Sequence, residues 1–268
     1  MFGLAETNLF VRDTVGELQE IYRYRARLES GLLRSVAELA FSEQTEETIE
    51  AARGWLADNG GLATAELFRT MQAWAAGRGL VDKSPAHVFS PLALERIQGT
   101  IPEARYLHLT RHPADTITSA FQLNLGTRWS KGRRERFPDT DPDAPDKIWL
   151  NPHRAIVTFL QKIPAARQMR LKGEDLLSAP AHHLAAIAEW LGIGSGKHEI
   201  EAMMHPENSP FATFGPANAP FGNDPHFMES AELRPYTYHP RPLEWETPDG
   251  RIVELNETIR SYAVRFGY

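Results

Sequence analysis

The sequence predicts an α/β fold: a single domain over residues 1–268, with a central parallel sheet flanked by helices. Three observations predict it. Short apolar segments ending in charge, GLVDKSP and RYLHLT, each lead straight into helix signals, Pro91-Leu-Ala-Leu-Glu and Pro113-Ala-Asp. Strands that alternate with helices make parallel βαβ units. The chain has 268 residues, enough for one sizeable core, and neither an internal repeat nor a linker divides it.

Taken in order, the first third reads as helix. Leu18, Ile21, Tyr22, Leu28, Leu32, Val36 and Leu39 recur every three to four residues with charges between them. A second helix is predicted over 45–58, opened by Thr45-Glu-Glu and closed before Asn59-Gly60-Gly61. A third starts near Thr64, carries Leu67, Phe68, Met71, Trp74 and Ala75 on one face, and stops at Gly77. Residues 12–78 together are expected to form a helical cap. Two strand-to-helix units follow, the second with YLHL as a buried strand. Residues 126–147, basic and then acidic and proline-rich, read as a loop. A helix near 154–162 precedes QMRLKGEDLL, read as a further strand edge, and a helix over 179–192 has Ser178 as its expected N-cap. Residues 205–250, rich in Pro, Gly, Asn and aromatics, show little periodicity and read as irregular. A last helix carries Ile259, Tyr262, Ala263 and Phe266.

Composition narrows the chemistry. With 42% hydrophobic and 24% charged residues the chain is ordinary for a globular protein, and a net charge of −6 argues against a general nucleic-acid binder. The absence of cysteine excludes disulfides, thiolate zinc sites and cysteine nucleophiles. No apolar run approaches the roughly 20 residues that span a bilayer. The first residues, MFGLAETNLF, lack the parts of a signal peptide, so the expectation is a cytoplasmic protein or a soluble domain of a longer chain.

In an open parallel sheet, ligands sit outside the carboxyl ends of the strands. Arg111 stands at such an end, and Pro113 is a good first helical residue. Free N–H groups and the dipole at that terminus attract anions, a guanidinium adds a bidentate fork, and Ser119 could donate a hydroxyl two turns on. A phosphate held there is one reading; an arginine paired with a surface carboxylate is the other. His182 and His183 lack a third ligand and read as a surface pair, and LGIGSG at 191–196 reads as a helix end. The basic run at 131–136 is either a solvated face or an attractor for an anionic acceptor or carrier.

VDKSP at 81–85, followed by IPEARYLHLTRHPADTITSAF, resembles the sulfotransferases that use 3′-phosphoadenosine 5′-phosphosulfate (PAPS). Their pattern is a Lys-Ser/Thr-Pro strand end, a Pro-x-Ala-Arg strand, then Arg-x-Pro with a serine eight residues after the arginine. MRLKGEDLLSAP is similar to the family's Tyr-Glu-Asp-Leu segment, with Gly173 in place of the tyrosine, and SPFATFGPANAPFGNDPHF is similar to a nucleotide-side loop of the bacterial branch that includes polyketide-synthase domains. The resemblance implies a P-loop-like sulfotransferase fold. It implies Arg111 and Ser119 on the 3′-phosphate, Lys83 neutralising the transferred sulfonate, and Gly222 and Asn223 in the nucleotide wall. GLAETNLF matches a carbohydrate-branch segment whose glutamate is the base, which makes Glu6 the candidate and leaves its alternative as an exposed terminal residue.

The family's 5′-phosphosulfate loop, a strand and a Gly/Ser/Arg/Thr-rich turn ahead of the glutamate segment, is expected to be missing here. Either the sequence starts late within an active sulfotransferase, the favoured expectation, or the protein is a degenerate, non-catalytic nucleotide-binding or scaffold protein. A P-loop kinase would need a Gly-Lys-Ser/Thr loop, which is absent. The expected reaction is sulfonate transfer from PAPS to an acceptor hydroxyl, releasing adenosine 3′,5′-bisphosphate (PAP), with no metal. The expected partners are a small-molecule or carrier-bound acceptor, neither nucleic acid nor a membrane span, and a place in a larger chain or a homo-oligomer. Trp55, Trp74 and Trp129 lean toward an apolar acceptor, although core packing explains tryptophans equally well.

Overall fold

The computed structural model describes residues 1–24, 26–122, 127–130, 133–136, 145–234, 236–237, 239, 241–247 and 250–268. In chain order the elements are β1 (Phe2–Gly3), α1 (Val15–Tyr22), α2 (Ala26–Phe41), α3 (Glu46–Asp58), α4 (Thr64–Trp74), β2 (Leu80–Val81), α5 (Pro91–Thr100), β3 (Tyr106–Thr110) and α6 (Pro113–Gln122). There follow β4 (Thr127–Ser130), β5 (Arg133–Arg136), α7 (Asn151–Leu160), β6 (Gln168–Lys172), α8 (Gly173–Ser178), α9 (Pro180–Leu191), α10 (Lys197–Met203), α11 (Pro225–Glu229), β7 (Glu244–Glu246), β8 (Ile252–Glu254) and α12 (Glu257–Phe266). The chain packs as two units, Met1–Ala104 with Lys197–Leu233 and Arg105–Gly196 with Arg234–Tyr268. Both units are discontinuous in sequence, so no linker composition marks their boundary.

The first unit holds the parallel pair β1–β2, with Phe2 opposite Leu80 and Gly3 opposite Val81. Its helices start where the capping residues direct. The Thr14 hydroxyl accepts from the Glu17 N–H while Glu17 accepts from the Thr14 N–H, and Thr45 and Thr48 do the same for α3. The chain leaves α4 through Ala76 and Gly77, both at positive φ, where glycine carries no Cβ penalty. The 3.6-residue stripe of the sequence becomes the core: Leu18, Leu32, Leu33, Val36, Ile49, Leu67 and Met71 are all buried. Trp55 and Trp74 meet edge-on at 5.3 Å and pack against this core, so packing accounts for these two tryptophans. The Trp129 side chain lies outside the described residues.

The irregular segment 209–224 of this unit is fixed by Arg34 from α2, a residue only 1% exposed. Its Nε donates to Gln44 Oε1 (2.6 Å), Nη1 to the Phe221 carbonyl (3.1 Å) and Nη2 to the Pro210 carbonyl (3.2 Å). Burial lowers its pKa to about 10, which still leaves it charged at neutral pH. Gly215 is required there: a Cβ would lie 2.5 Å from the Ala219 carbonyl and 2.8 Å from Arg34 Nε.

The second unit is built on the parallel pair β3–β6, in register from Tyr106 opposite Gln168 to Thr110 opposite Lys172. The expectation of a buried apolar strand is corrected here. His108 and Thr110 face the interior, while Leu107 and Leu109 are 40% and 50% exposed. The buried face of β3 takes the histidine because aromatic rings receive it: His153 of α7 and Phe266 of α12 stand 5.0 and 5.2 Å from its ring. Ile117, Phe121, Trp149, Val157, Trp245, Ile259 and Ala263 complete this core.

Three further expectations change. Thr127–Ser130 and Arg133–Arg136 pair as antiparallel strands, β4 and β5, where a loop was expected; paired backbone needs no apolar alternation to hold it. Side chains of the basic run, and residues 137–144, lie outside the described residues. QMRLKGEDLL is strand only to Lys172 and then turns into α8. Ser178 does not cap α9: its hydroxyl donates back to the Glu174 carbonyl (2.7 Å), and Pro180, preset for a first helical turn, starts α9 instead. Gly192, in the left-handed region, ends that helix, as its position in LGIGSG suggests. Among the described residues no helix is long and apolar enough to cross a membrane.

Candidate functional site

Four of the six expected site residues meet in the first unit, past the carboxyl ends of β1 and β2. The parallel pairing continues through the Leu4 N–H to the Val81 carbonyl (2.8 Å), which carries Glu6 and Lys83 forward side by side. Lys83 Nζ forms an ion pair with Glu6 and reaches Asn223 Oδ1 at 3.4 Å. The Glu6 N–H donates to the Gly222 carbonyl (2.7 Å), so the irregular segment is joined to the strand end through the backbone. Gly222 has a φ of +130°, and a Cβ there would stand 3.1 Å from Gly31 Cα, so a side chain would be strained by the backbone and crowded by α2. Gly31 is tighter still: its added Cβ would fall 2.1 Å from the Glu6 carbonyl oxygen. The Lys83 side chain is 61% exposed and that of Glu6 25%, so both charges face solvent from a fixed backbone.

Behind this pair lies a polar network that sequence reasoning missed. Asp82 Oδ1 accepts from the Ser84 hydroxyl (2.7 Å) and Oδ2 from the Thr7 hydroxyl (3.3 Å). Ser84 Oγ accepts from the Asn8 N–H (3.0 Å), and His87 Nε2 accepts from the Phe10 N–H (3.2 Å). Burial pushes the Asp82 carboxyl up to about 6 against the lowering pull of Ser84, Thr7 and Lys83, and pushes His87 down to about 4. His87 Nδ1 stands 3.8 Å from Asp82 as a neutral ring near pH 7, too far for a hydrogen bond. The signal in the sequence was the run Asp82-Lys83-Ser84, three polar residues at one strand end.

Arg111 and Ser119 belong to the second unit. Arg111 is exposed immediately after β3, and Ser119 is half-buried on α6. The loop between strand and helix is held at its backbone: the Trp149 indole donates to the Arg111 carbonyl (2.9 Å), and the His112 N–H donates to Glu174 Oε1 (2.7 Å). That second bond occupies one N–H ahead of α6, that of His112. Parallel register brings Glu174, two residues past β6, beside His112, two residues past β3, and its carboxylate takes the donor first. His182 and His183 on α9 have rings 5.0 Å apart, and among the described residues no metal-ligating cluster forms.

The sulfotransferase family profile matches residues 3–195, well over half of the chain. The chain belongs to the sulfotransferase family. Its fold is that of two solved sulfotransferase domains. One is from the curacin biosynthetic pathway, with a TM-score of 0.73 at 21% identity over 99% of this chain and 88% of that one. The other is from the Synechococcus PCC 7002 olefin synthase, with a TM-score of 0.73 at 22% identity over 99% and 84%. No curated protein matches it. The parallel strand ends that carry Lys83 and Arg111 are therefore strand ends of a sulfotransferase fold.

Within this sulfotransferase the chemistry available at each strand end differs. At β2 an exposed ammonium is paired with a carboxylate, a donor of positive charge beside an acceptor for a proton. At β3 a guanidinium projects from a pinned loop, suited to bidentate contact with an oxyanion.

Proposed function

We propose that this sulfotransferase moves a sulfonate group from PAPS to the hydroxyl of a small-molecule or carrier-bound acceptor. The observation that carries the reading is the Lys83–Glu6 ion pair, with Asn223 beside it, at the carboxyl ends of two parallel strands. The donor supplies the sulfonate, whose sulfur–oxygen bond to the phosphate breaks as the acceptor oxygen bonds to sulfur, and PAP leaves. Glu6 accepts the proton of the acceptor hydroxyl. Lys83 shifts from Glu6 toward the charge that develops on the bridging oxygen, and Asn223 guides its ammonium. Arg111 and Ser119 hold the 3′-phosphate, and Gly222 lets the backbone approach the nucleotide without a Cβ. Residues 12–78 act as a helical cap and 205–250 as the nucleotide-side wall. The exposure of Arg111 and Lys83 fits this assignment, because both cations are reachable by a phosphorylated ligand. Catalysis then rests on positioning and charge neutralisation.

Calorimetric titration of PAP, combined with transfer of labelled sulfonate from PAPS to a panel of alcohols, phenols and sugars, tests the reading. Arg111→Ala is expected to weaken PAP binding by about tenfold or more. Lys83→Ala and Glu6→Gln are expected to lower transfer by about a hundredfold or more while the fold stays intact, since an exposed ion pair contributes only about 0–1 kcal/mol. A folded protein that ignores PAP overturns the proposal. PAP binding without any transfer would instead identify a non-catalytic nucleotide-binding protein of the same fold.

A further inference from the structure

We propose that Glu174 and Tyr268 are positioning residues: they clamp the backbone around Arg111 so that its guanidinium reads a 3′-phosphate, and so they set the preference for nucleotides that carry one. The inference rests on the sulfotransferase reading above and adds two residues to which that reading gives no role.

An exposed arginine has about 2 kcal/mol of rotamer entropy to lose when it engages a ligand. A mobile backbone beneath it would add to that cost. Here three consecutive residues are fixed by side chains from separate parts of the unit. The Arg111 carbonyl accepts from Trp149 (2.9 Å) and the His112 N–H donates to Glu174 Oε1 (2.7 Å). The Tyr268 hydroxyl donates to the other oxygen, Oε2 (2.9 Å), and stands 3.1 Å from the hydroxyl of Thr110, the residue before Arg111. With the Tyr268 proton committed to Glu174, the Thr110 hydroxyl is the donor of that second bond. Glu174 is 5% exposed and Thr110 2%, so these bonds form away from competing water. The Tyr268 ring also packs against the His112 ring at 5.5 Å, which closes the loop on its remaining side.

The same carboxylate has a second effect. A bare N–H at the start of α6 would attract any anion. With Glu174 on the His112 N–H, that one donor is withdrawn, which shifts the weight of the phosphate contact toward the directional fork of Arg111. Selectivity for a 3′-phosphate thus depends on where the clamp holds that fork.

The experiment is calorimetric titration of two probes, PAP and adenosine 5′-monophosphate, which lacks the 3′-phosphate, into the parent, Arg111→Ala, Glu174→Gln, Tyr268→Phe and the double variant Glu174→Gln/Arg111→Ala. The parent is expected to prefer PAP by about tenfold or more, and Arg111→Ala to abolish the preference. Tyr268→Phe and Glu174→Gln are each expected to reduce it by about threefold to tenfold, one to two lost hydrogen bonds' worth, with affinity for the monophosphate unchanged within about twofold. In the Arg111→Ala background Glu174→Gln is expected to change nothing further. Tyr268→Phe keeps the ring and its packing, so the test stands even if Glu174→Gln does not fold. Variants that fold and keep the parental ratio, or that weaken both probes equally, overturn the clamp and leave Glu174 a structural residue. A parent with no preference for PAP overturns the 3′-phosphate assignment itself, and the clamp falls with it.

Discussion

In the first unit, the residues around Lys83 are fixed by hydroxyls and N–H groups gathered about Asp82. In the second, those around Arg111 are fixed by donors gathered on Glu174. Both units use a protected carboxylate to organise a strand end, yet their neighbouring histidines differ. His87 sits near Asp82, and burial shifts the two groups in opposite directions, Asp82 up to about 6 and His87 down to about 4. The second unit places His108 against His153 at 2.8 Å, with burial pushing His108 down to about 3 and His153 down to about 4; burial lowers His112 as well. At these buried groups one unit therefore balances its proton linkage, and the other accumulates it in one direction. Buried groups of mixed sign can make a polar core indifferent to pH, and groups of one sign cannot.

The comparison breaks most completely at Gly31. A Cβ at that position meets the Glu6 carbonyl at 2.1 Å, backbone against backbone, with no flexible side chain to yield. Gly31→Ala is expected to cost the first unit at least about 3 kcal/mol. In urea, fluorine-labelled Trp55 and Trp74 should report unfolding earlier than in the parent. A midpoint within 0.3 M of the parent, about what 0.5 kcal/mol would produce, would show that the strand end can move away from α2.

A smaller effect is expected from acid. Histidines with lowered pKa values stabilise a fold fully above their unfolded value of 6.5 and cease to do so as pH falls through about 4 for His153 and about 3 for His108. Between those limits the unfolded chain binds protons that the folded second unit refuses. The second unit should lose on the order of a few kcal/mol between pH 7 and 4, read from Trp149 and Trp245 in the same labelled protein. Asp82 works the other way: its contribution is complete below its unfolded value of 3.8 and lost as pH rises through about 6, which offsets His87 in the first unit. Equal acid sensitivity of both tryptophan pairs would contradict the distinction.

The smallest effect sharpens the contrast. Asp82→Asn keeps an acceptor for the Thr7 or Ser84 hydroxyl but removes the opposing titration. Stability at pH 7 is expected to stay within about 1 kcal/mol, while the first unit becomes acid-labile like the second. An unchanged slope below pH 6 would mean that His87 does not titrate as its burial implies.

Much of this was legible in the residues. Periodicity placed α3, α4 and α12 and read α1 and α2 as one helix, and the threonine and glycine signals placed the ends of α3 and α4, because capping chemistry is local. The parallel pairing followed from strands alternating with helices. The pairing of Lys83, Glu6, Gly222 and Asn223 was legible only as a resemblance, since nothing local relates Glu6 to Lys83, 77 positions on, or Lys83 to Asn223, 140 positions on. Leu107 and Leu109 were misread because alternation tells which residues share a face, whereas long-range packing decides which face is covered. The network of Asp82, Ser84 and Thr7 was missed for a related reason: short polar residues at a strand end read as solvent-facing until the partners that bury them are known.

Arg34 has a consequence for how such a protein could diversify. It holds the segment that bears Gly222 and Asn223 through the carbonyl oxygens of Pro210 and Phe221, which every residue type possesses. The anchor therefore recognises chiefly the path of the chain, and the side chains it also touches there are Phe211, whose ring lies 5.5 Å from its guanidinium, and Met228. With Gly215 kept for clearance, neighbouring positions in that segment can be exchanged, by drift or by an engineer grafting new specificity, without renegotiating the attachment to α2.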